Sequence, residues 1–323
     1  MTSTTFQPAA HHGGSAATAP RGEAHALIAD DGRRLAASWF EPPQGPARAV
    51  ALVSSATGVP RGFYAAFAQW LAARGYAVLT YDYRGIAGSR EGSLRRERAS
   101  MRDWAVLDMS AALAAAEARR EGRGLPLLLV GHSFGGNAIA FARGVERADA
   151  LLGVGSQLGE PRLYPGVHGV VAEVFFRAWV PAVVAGFGHL PGWALGPGAQ
   201  ALPAGVARQW GRWGALRGWA YADPSMAAHR AASAVLAPVH LWGVDDDLTY
   251  APPRAVDALA AQFRNAAVQR HQLAPAEVGR RRLGHFGVFR RDPGPRAWAR
   301  LLAPIEAAAP ALKTAGLLPT DSA

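Results

Sequence analysis

Three groups of polar side chains, far apart in the sequence, have the types and the order that nucleophilic catalysis requires. Ser133 stands in GHSFG, with one glycine two positions before it and another two positions after it. Asp245, Asp246 and Asp247 follow in LWGVDDDLTYAPP, and His285 follows in RRLGHFGVFR. A serine is a weak nucleophile unless a base accepts its proton and an acid orients that base. The order serine, aspartate, histidine therefore predicts an activated serine nucleophile.

The serine motif lies where an apolar strand turns into a helix. LPLLLV (125–130) is typical of a buried strand, and a helix is predicted over 134–146. In that context G-x-S-x-G is the pattern of a nucleophile elbow, whose glycines leave room for a strained turn that projects the serine hydroxyl. A glycine-rich turn with an incidental serine is the alternative. The strand and helix around the motif favour Ser133 as the nucleophile.

The predicted acid is Asp246, at the third position after Gly243, with Asp245 as the second choice. A neighbour of Asp246 within the triplet stays an alternative, and so does a solvated turn or helix cap without catalytic role. The predicted base is His285, in a loop flanked by glycines. His132, next to the nucleophile, is expected to support the elbow. Seven other histidines lack such positions: His11, His12, His168, His189, His229, His240 and His271. No metal-ligand spacing occurs in the sequence, so no metal is expected.

Attack by a serine also needs two hydrogen-bond donors for the oxyanion of the tetrahedral intermediate. One comes from the backbone N–H after the nucleophile, which is that of Phe134. The other comes from a loop after an earlier strand, and SSATG (54–58) is the matching loop, in which we place the donor at Thr57. An ordinary strand-to-helix turn is the alternative for this loop.

Strands and helices alternate along most of the chain. Two strand-like segments flank the turn at Asp30, Asp31 and Gly32, and near-continuous apolar strands then indicate a mostly parallel sheet with helices on both faces. The predicted strands after the turn are 48–56, 76–83, 125–130, 150–156, 238–244 and 268–274, and the predicted helices are 63–75, 98–121, 134–146, 252–266 and 293–309.

The alternation fails between 157 and 235, where most of the tryptophans occur. This composition predicts an inserted cap over a sheet edge, between two parts of one core at 23–156 and 236–312. Residues 1–22 are predicted to form a disordered leader without a secretion signal, and 313–323 a C-terminal tail.

The apolar stretch 166–190 is interrupted by Glu173, Arg177 and Pro181, so neither a spanning helix nor membrane contact is expected.

Composition excludes several classes of protein. The 323 residues contain no cysteine, which excludes disulfides and thiolate metal sites, and we expect a cytoplasmic protein. The formal charge of +10 comes from scattered arginines, with only one lysine. The short runs RRER (95–98) and GRRR (279–282) lack the interleaved aromatic residues of a base-stacking surface, so no nucleic-acid partner is expected.

From residue 24 onwards the chain resembles the α/β-hydrolases, in particular bacterial members related to the serine aminopeptidase and monoacylglycerol lipase-like group. The resemblance is carried by SATGVPRGFYAAFAQWLAARGYAVLTYDYRG, VGHSFGG, GVARQWGRW, DDDLTYAPP and GHFGVFR. Two positions depart from the pattern of that group. Ser55 and Ala56 stand where a His-Gly pair precedes the second oxyanion donor, and RGIAGS has Ala87 where R-G-x-G-x-S has glycine.

The resemblance implies the α/β-hydrolase fold, a mostly parallel eight-stranded sheet flanked by helices with an inserted helical cap. It implies hydrolysis through an acyl-enzyme without a cofactor. The tryptophans of the insertion predict a small to medium ester with an apolar acyl or aryl group, although most of them are expected to pack the cap onto the core. The oligomeric state is not predicted.

Two alternatives stay open. An amide or peptide hydrolase of the aminopeptidase type would need an acidic group in the cap to hold a substrate amino terminus, and the only candidates are Glu160, Glu173 and Asp223. A ligand-binding protein that kept the fold and lost turnover is the other alternative. The scarcity of acidic residues favours esters, and the intact order of serine, aspartate and histidine favours an enzyme.

Overall fold

The computed structural model describes residues 22–196 and 198–308. Three predicted segments lie outside the described residues: the leader apart from Gly22, the end of the core at 309–312, and the C-terminal tail. The strands of the described part are β1 (Glu23–Ile28), β2 (Arg34–Phe40), β3 (Ala49–Ser54), β4 (Tyr76–Tyr81), β5 (Leu127–His132), β6 (Ala150–Val154), β7 (His189–Leu190), β8 (Leu202–Pro203), β9 (Val239–Val244) and β10 (Val268–Leu273).

The helices follow the same order along the chain. They are α1 (Ala65–Ala72), α2 (101–120, with a π-helical turn at Trp104–Asp108), α3 (Phe134–Ile139), α4 (Gly166–Phe187, with a π-helical turn at Phe175–Trp179), α5 (Ala204–Ala215), α6 (Pro253–Ala260), α7 (Gly284–Gly287) and α8 (Gly294–Ala308). Short 3-10 turns are Arg61–Tyr64, Ala87–Ser89, Val145–Arg147, Pro161–Leu163, Gly192–Ala194, Trp219–Ala222, Pro224–His229, Ala232–Ala234 and Pro275–Val278.

Eight strands form one sheet in the order β1-β2-β4-β3-β5-β6-β9-β10, and β7 pairs with β8 separately. The hairpin β1-β2 and the pair β2-β4 are antiparallel, whereas all other pairs of the large sheet are parallel. Every residue of β3, β4, β5, β6 and β9 is buried, as expected for parallel strands covered on both faces. The prediction of a mostly parallel eight-stranded sheet is confirmed.

Alternate residues of the central strands enter two separate hydrophobic cores. In β3, Val50 and Leu52 pack with α2, and Ala51 and Val53 pack on the opposite face with α1 and α8. The parallel strands β3, β5, β6 and β9 therefore lie between two helical layers, and their carboxyl ends meet along one edge of the sheet. Ligands of open α/β sheets bind at that edge.

Helix α3, which follows Ser133, is shorter than predicted. The sequence predicts a helix to residue 146, but α3 ends at Ile139, and its last turn tightens into i→i−3 hydrogen bonds such as that from the N–H of Phe141 to the carbonyl of Ala138. The carbonyl of Ala140 accepts instead from the N–H of Ala231 at 2.9 Å. Backbone pairing with the segment at residue 231 thus replaces a further helical turn.

Helix α4 runs without a break through residues 166–187 of the apolar stretch. Glu173 and Arg177 form an i,i+4 ion pair on it, and the π-helical turn precedes Pro181. By length and composition α4 could cross a membrane, with 28% of its apolar window buried, although core helices of soluble proteins pass the same test. Four valines lie exposed on it: Val167, Val170, Val171 and Val174.

The departure at Ala87 has a structural cost. Ala87 has φ 39, a left-handed conformation that disfavours residues with a Cβ by about 1–2 kcal/mol. Ala87→Gly removes that strain but increases the entropy of the unfolded chain, which costs about 0.5–1 kcal/mol. We predict a net gain of about 0.5–1 kcal/mol, or a Tm higher by about 1–3 °C in a thermal melt.

The control for this prediction is Gly85→Ala in the same turn. Gly85 has φ 81, and a Cβ there would approach Cγ of Pro203 to 2.6 Å. The substitution should lower Tm. An unchanged or lower Tm for Ala87→Gly would show that its left-handed φ carries no net strain.

Candidate active site

Ser133 occupies the sharp turn between β5 and α3. Its φ of 53 and ψ of −120 are rare for a residue with a side chain, and such strain is typical of a nucleophile elbow. Its N–H donates to the carbonyl of Val154 at 2.9 Å, which ties the turn to the end of β6. The half-buried Ser133 therefore lies at the carboxyl edge of the sheet, as the motif predicts.

The glycines around Ser133 are required by close packing. A Cβ on Gly131 would collide with the backbone of Gly136, one on Gly135 with the carbonyl of Ser54, and one on Gly136 with the side chain of Ser156. The first turn of α3 consequently packs directly on β5 and on the ends of β3 and β6. These contacts give a physical reason for the run G-x-S-x-G-G.

His285 lies in the short helix α7, buried, with its Nδ1 2.6 Å from Oδ2 of Asp247. Asp247 is also buried, and its other oxygen accepts the N–H of Tyr250 at 3.2 Å. The ring of Tyr250 stacks on the imidazole with 4.9 Å between the ring centroids. Because the carboxylate holds Nδ1, Nε2 is the nitrogen that remains to accept a proton.

The prediction that Asp246 orients the imidazole is wrong. The Asp246 carboxylate accepts the backbone N–H groups of Leu283 at 3.0 Å and Gly284 at 2.9 Å. It therefore fixes the loop that carries His285 without contacting the ring. Strand β9 extends to Val244, and a turn closed by the N–H of Asp247 and the carbonyl of Val244 directs the third aspartate inward.

Ser133 and His285 approach two successive residues at the end of β6. The backbone N–H of Ser133 donates to Val154, and the imidazole packs on Gly155, where a Cβ would lie 3.0 Å from its Cε1. No hydrogen bond joins the hydroxyl to the imidazole in the described part of the chain. Catalytic hydrogen bonds commonly tighten only when substrate binds, so the neighbourhood of the two groups is the relevant observation.

The two predicted oxyanion donors are free to donate. The N–H groups of Phe134 and Thr57 form no hydrogen bond with residues 22–196 or 198–308. The N–H of Ala56, by contrast, donates to the hydroxyl of Tyr64 at 2.9 Å. Close packing of Gly135 on Ser54 brings the elbow against the loop that contains Thr57.

Tyr64 and His132 form a buried pair between the elbow and its neighbouring loops. The Tyr64 hydroxyl lies 2.8 Å from Nδ1 of His132, and Nε2 of His132 lies 2.9 Å from the carbonyl oxygen of His285. Burial, with a smaller contribution from His285, holds the pKa of His132 well below its usual range, so the ring is neutral. The sequence predicts a supporting role for His132, whereas nothing in the sequence singles out Tyr64.

Among the cap tryptophans, Trp219 is the one that reaches the residue after the nucleophile. Its ring centroid lies 6.5 Å from that of Phe134, and Trp219 has a strained φ of 53. Trp213 packs behind it and donates its Nε1–H to Asp223 at 2.6 Å. Trp210 packs on phenylalanines of α4, and Trp179 and Trp193 are exposed.

The acidic residues of the predicted cap are engaged within the protein. Asp223 accepts from Trp213, Gln209 and Ser225, and these hydrogen bonds lower its pKa despite burial. Glu160 accepts the N–H of Gly218 at 2.7 Å and also pairs with Arg162. Glu173 pairs with Arg177 on α4.

The other described histidines contact groups outside the Ser133–His285 region. His168 lies against Thr249, His189 against Phe187, and His229 against Arg102. His240 and His271 stack on each other, and His25 packs edge-on against Trp39. In the described ranges no three histidine or acidic side chains are grouped so that they could hold a metal ion. His11 and His12 lie outside the described residues.

Comparisons with known proteins bear on the family and the fold. The family model described as serine aminopeptidase, S33 matches residues 45–186. The sequence matches no curated protein. A soluble variant of monoglyceride lipase from Saccharomyces cerevisiae, solved with a substrate analog, superposes with a TM-score of 0.64 at 14% identity, over 93% of this chain and 99% of the lipase chain.

Two further structures have the same fold. The esterase domain of a Rhodothermus marinus protein gives a TM-score of 0.52 at 17% identity, over 90% of this chain and 98% of that domain. A puromycin-hydrolyzing peptidase from Mycobacterium tuberculosis gives 0.52 at 18% identity, over 90% of this chain and 39% of the peptidase chain. The chain therefore has the α/β-hydrolase fold, and the fold expected from its resemblance is confirmed.

Proposed function

We propose that the protein is a serine hydrolase that cleaves small to medium esters with an apolar acyl or aryl group. The observation that carries the proposal is the buried 2.6 Å contact between His285 and Asp247 beside the strained Ser133. In this proposal Ser133 is the nucleophile, His285 the general base and Asp247 the acid that orients it. Asp247 replaces the predicted Asp246 in that role.

The proposed reaction has two halves. His285 Nε2 accepts the proton of the Ser133 hydroxyl as its oxygen attacks the ester carbonyl, and the N–H groups of Phe134 and Thr57 stabilise the oxyanion. The imidazolium then protonates the leaving alkoxide as the ester C–O bond breaks. Water, deprotonated by the same imidazole, attacks the acyl-enzyme and releases the acid and free Ser133.

The cap residues favour esters over substrates with a free amino terminus. An aminopeptidase needs an unengaged carboxylate to bind a substrate ammonium group. Asp223, Glu160 and Glu173 all bind groups of the protein itself. The ring of Trp219 next to Phe134 instead supports an apolar acyl or aryl group near the nucleophile.

The chain-length profile of p-nitrophenyl esters tests this proposal. Each methylene buried on binding contributes about 0.8 kcal/mol, so kcat/KM should rise about fourfold per methylene until the pocket is filled. Trp219→Phe should move the optimum to longer acyl chains, because the smaller ring leaves space beside Phe134. Initial rates for acetate through decanoate measure both effects.

Trp210→Phe is the matched control, because Trp210 packs on Phe175 and Phe176 and not on Phe134. It should leave the chain-length optimum unchanged. Absence of ester turnover, or aminoacyl-amide turnover above ester turnover, would overturn the proposal. An identical shift in both variants would remove Trp219 from the acyl site.

A further inference from the structure

We propose that Tyr64 and His132 are positioning residues, which fix the oxyanion loop and the histidine loop relative to Ser133 through one chain of buried hydrogen bonds. The chain joins Ala56, Tyr64, His132 and His285, and we call it the Tyr64–His132 link. This inference rests on the proposed function, because it assigns a role in that reaction. Neither residue touches the reacting atoms in it.

The direction of each hydrogen bond follows from the chemistry of its ends. The backbone N–H of Ala56 can only donate, so the Tyr64 oxygen accepts at 2.9 Å. The carbonyl of His285 can only accept, so Nε2 of His132 carries the proton and donates at 2.9 Å. A neutral His132 then has an unprotonated Nδ1, which accepts the Tyr64 hydroxyl proton at 2.8 Å. All three bonds run in one direction, with each donor and acceptor used once.

The link is held rigidly in the core on the α1 and α8 face of the sheet. Tyr64 and His132 are fully buried. Phe289 packs edge-on against Tyr64, with 5.1 Å between ring centroids, and lies 4.9 Å from the His132 ring. Burial is the main cause that raises the pKa of Tyr64 far above its usual range, so the hydroxyl keeps its proton. Because the Tyr64–His132 link is shielded from water, its donors and acceptors have few alternative partners.

The two ends of the link are backbone groups next to the oxyanion donor and in the histidine loop, both of which the reaction needs at fixed positions relative to Ser133. Ala56 directly precedes Thr57, whose N–H is a proposed oxyanion donor, and the carbonyl of His285 belongs to the proposed base. His132 itself directly precedes Ser133. The N–H of Ala56 is engaged by Tyr64, whereas the N–H of Thr57 forms no hydrogen bond with the described residues. One side chain, His132, therefore connects the nucleophile strand to the loops on both sides of it.

Loss of the link should affect turnover more than binding. Tyr64→Phe deletes one oxygen and leaves the N–H of Ala56 and Nδ1 of His132 without partners. A displacement of catalytic groups by about 1 Å reduces rates by about 100-fold, so we expect kcat to fall 10- to 100-fold with KM changed less than about threefold. The second-order rate of phosphonylation of Ser133 by a fluorophosphonate should fall in parallel.

Tyr81→Phe is the matched control. The Tyr81 hydroxyl is equally buried and bonds the Ser54 side chain at 2.7 Å, but it belongs to the opposite core, with α2. A purely structural role for Tyr64 predicts similar losses of Tm in both variants and no selective loss of kcat. The positioning role predicts that only Tyr64→Phe loses kcat and phosphonylation rate at temperatures well below its Tm.

A second pair of variants keeps the test valid if Tyr64→Phe does not fold. His132→Gln retains an N–H that reaches the carbonyl of His285, whereas His132→Leu removes it. We expect the Gln variant to be phosphonylated at least about fivefold faster than the Leu variant, since it preserves the bond to the histidine loop.

Wild-type rates of labelling in Tyr64→Phe, or equal rates in the two His132 variants, would overturn the positioning role while the proposed function stands. A wild-type protein that takes no label would overturn the proposed function and this role with it. The two failures are therefore distinguishable in one set of labelling curves.

Discussion

Ser133→Ala is expected to reduce kcat/KM for p-nitrophenyl butyrate by a factor of about 10³ to 10⁶, with the fold intact. The hydroxyl is the only side chain in the proposed mechanism that forms a covalent bond to the acyl carbon, and loss of a triad nucleophile has effects of this size. Initial-rate kinetics on purified protein, with Tm as a check of folding, measure the change.

Ser156→Ala is the control for packing at the elbow. Its buried hydroxyl bonds the carbonyl of Gly131 at 3.2 Å, so the variant perturbs the same turn without removing the nucleophile. It should retain at least about a tenth of wild-type kcat/KM, because one neutral hydrogen bond contributes about 1 kcal/mol. Equal activity of wild type and Ser133→Ala would exclude Ser133 as the nucleophile.

The second large effect separates two adjacent aspartates. Asp247→Asn should lower kcat by about 10⁴, since an amide can stabilise the wrong imidazole tautomer and cannot stabilise the imidazolium, as in the equivalent change of serine proteases. Leu283 and Gly284 donate to different oxygens of Asp246, so Asp246→Asn keeps an acceptor for one of the two N–H groups. Its kcat should fall by no more than about tenfold.

The comparison is informative because both variants remove one negative charge at neighbouring positions. Measurement of both kcat and Tm separates the two roles, because kcat reports on the orientation of His285 and Tm on the support of its loop. We expect Asp246→Asn to lose stability with modest loss of turnover, and Asp247→Asn to lose turnover above all. The reverse ranking of kcat would restore Asp246 as the acid and contradict the assignment from the 2.6 Å contact.

The sequence predicts those parts of the structure that follow from local pattern. Apolar strands alternating with helices predict the parallel sheet, and glycines around Ser133 predict the elbow, because both depend on nearby residues. The order of the aspartates and the histidine predicts that the acid of the triad follows β9 and that a later loop supplies the base. The eight-stranded, mostly parallel sheet and the strained backbone of Ser133 agree with these predictions.

Other features depend on tertiary geometry that the pattern does not contain. Which of three successive aspartates points to the imidazole is decided by the turn after Val244. Tyr64 is indistinguishable in sequence from other core tyrosines, yet its hydroxyl meets His132, which is 68 positions away. The pairing of Glu173 with Arg177 on helix α4 likewise depends on the folded helix and is not contained in the count of charges.

The most direct test of the account is peptide mapping by mass spectrometry after reaction with a fluorophosphonate. We expect one adduct per chain, on the peptide that contains residue 133, with no adduct in Ser133→Ala and slow formation in Asp247→Asn. Absence of an adduct from the folded wild-type protein, or an adduct at another residue that persists in Ser133→Ala, would contradict it.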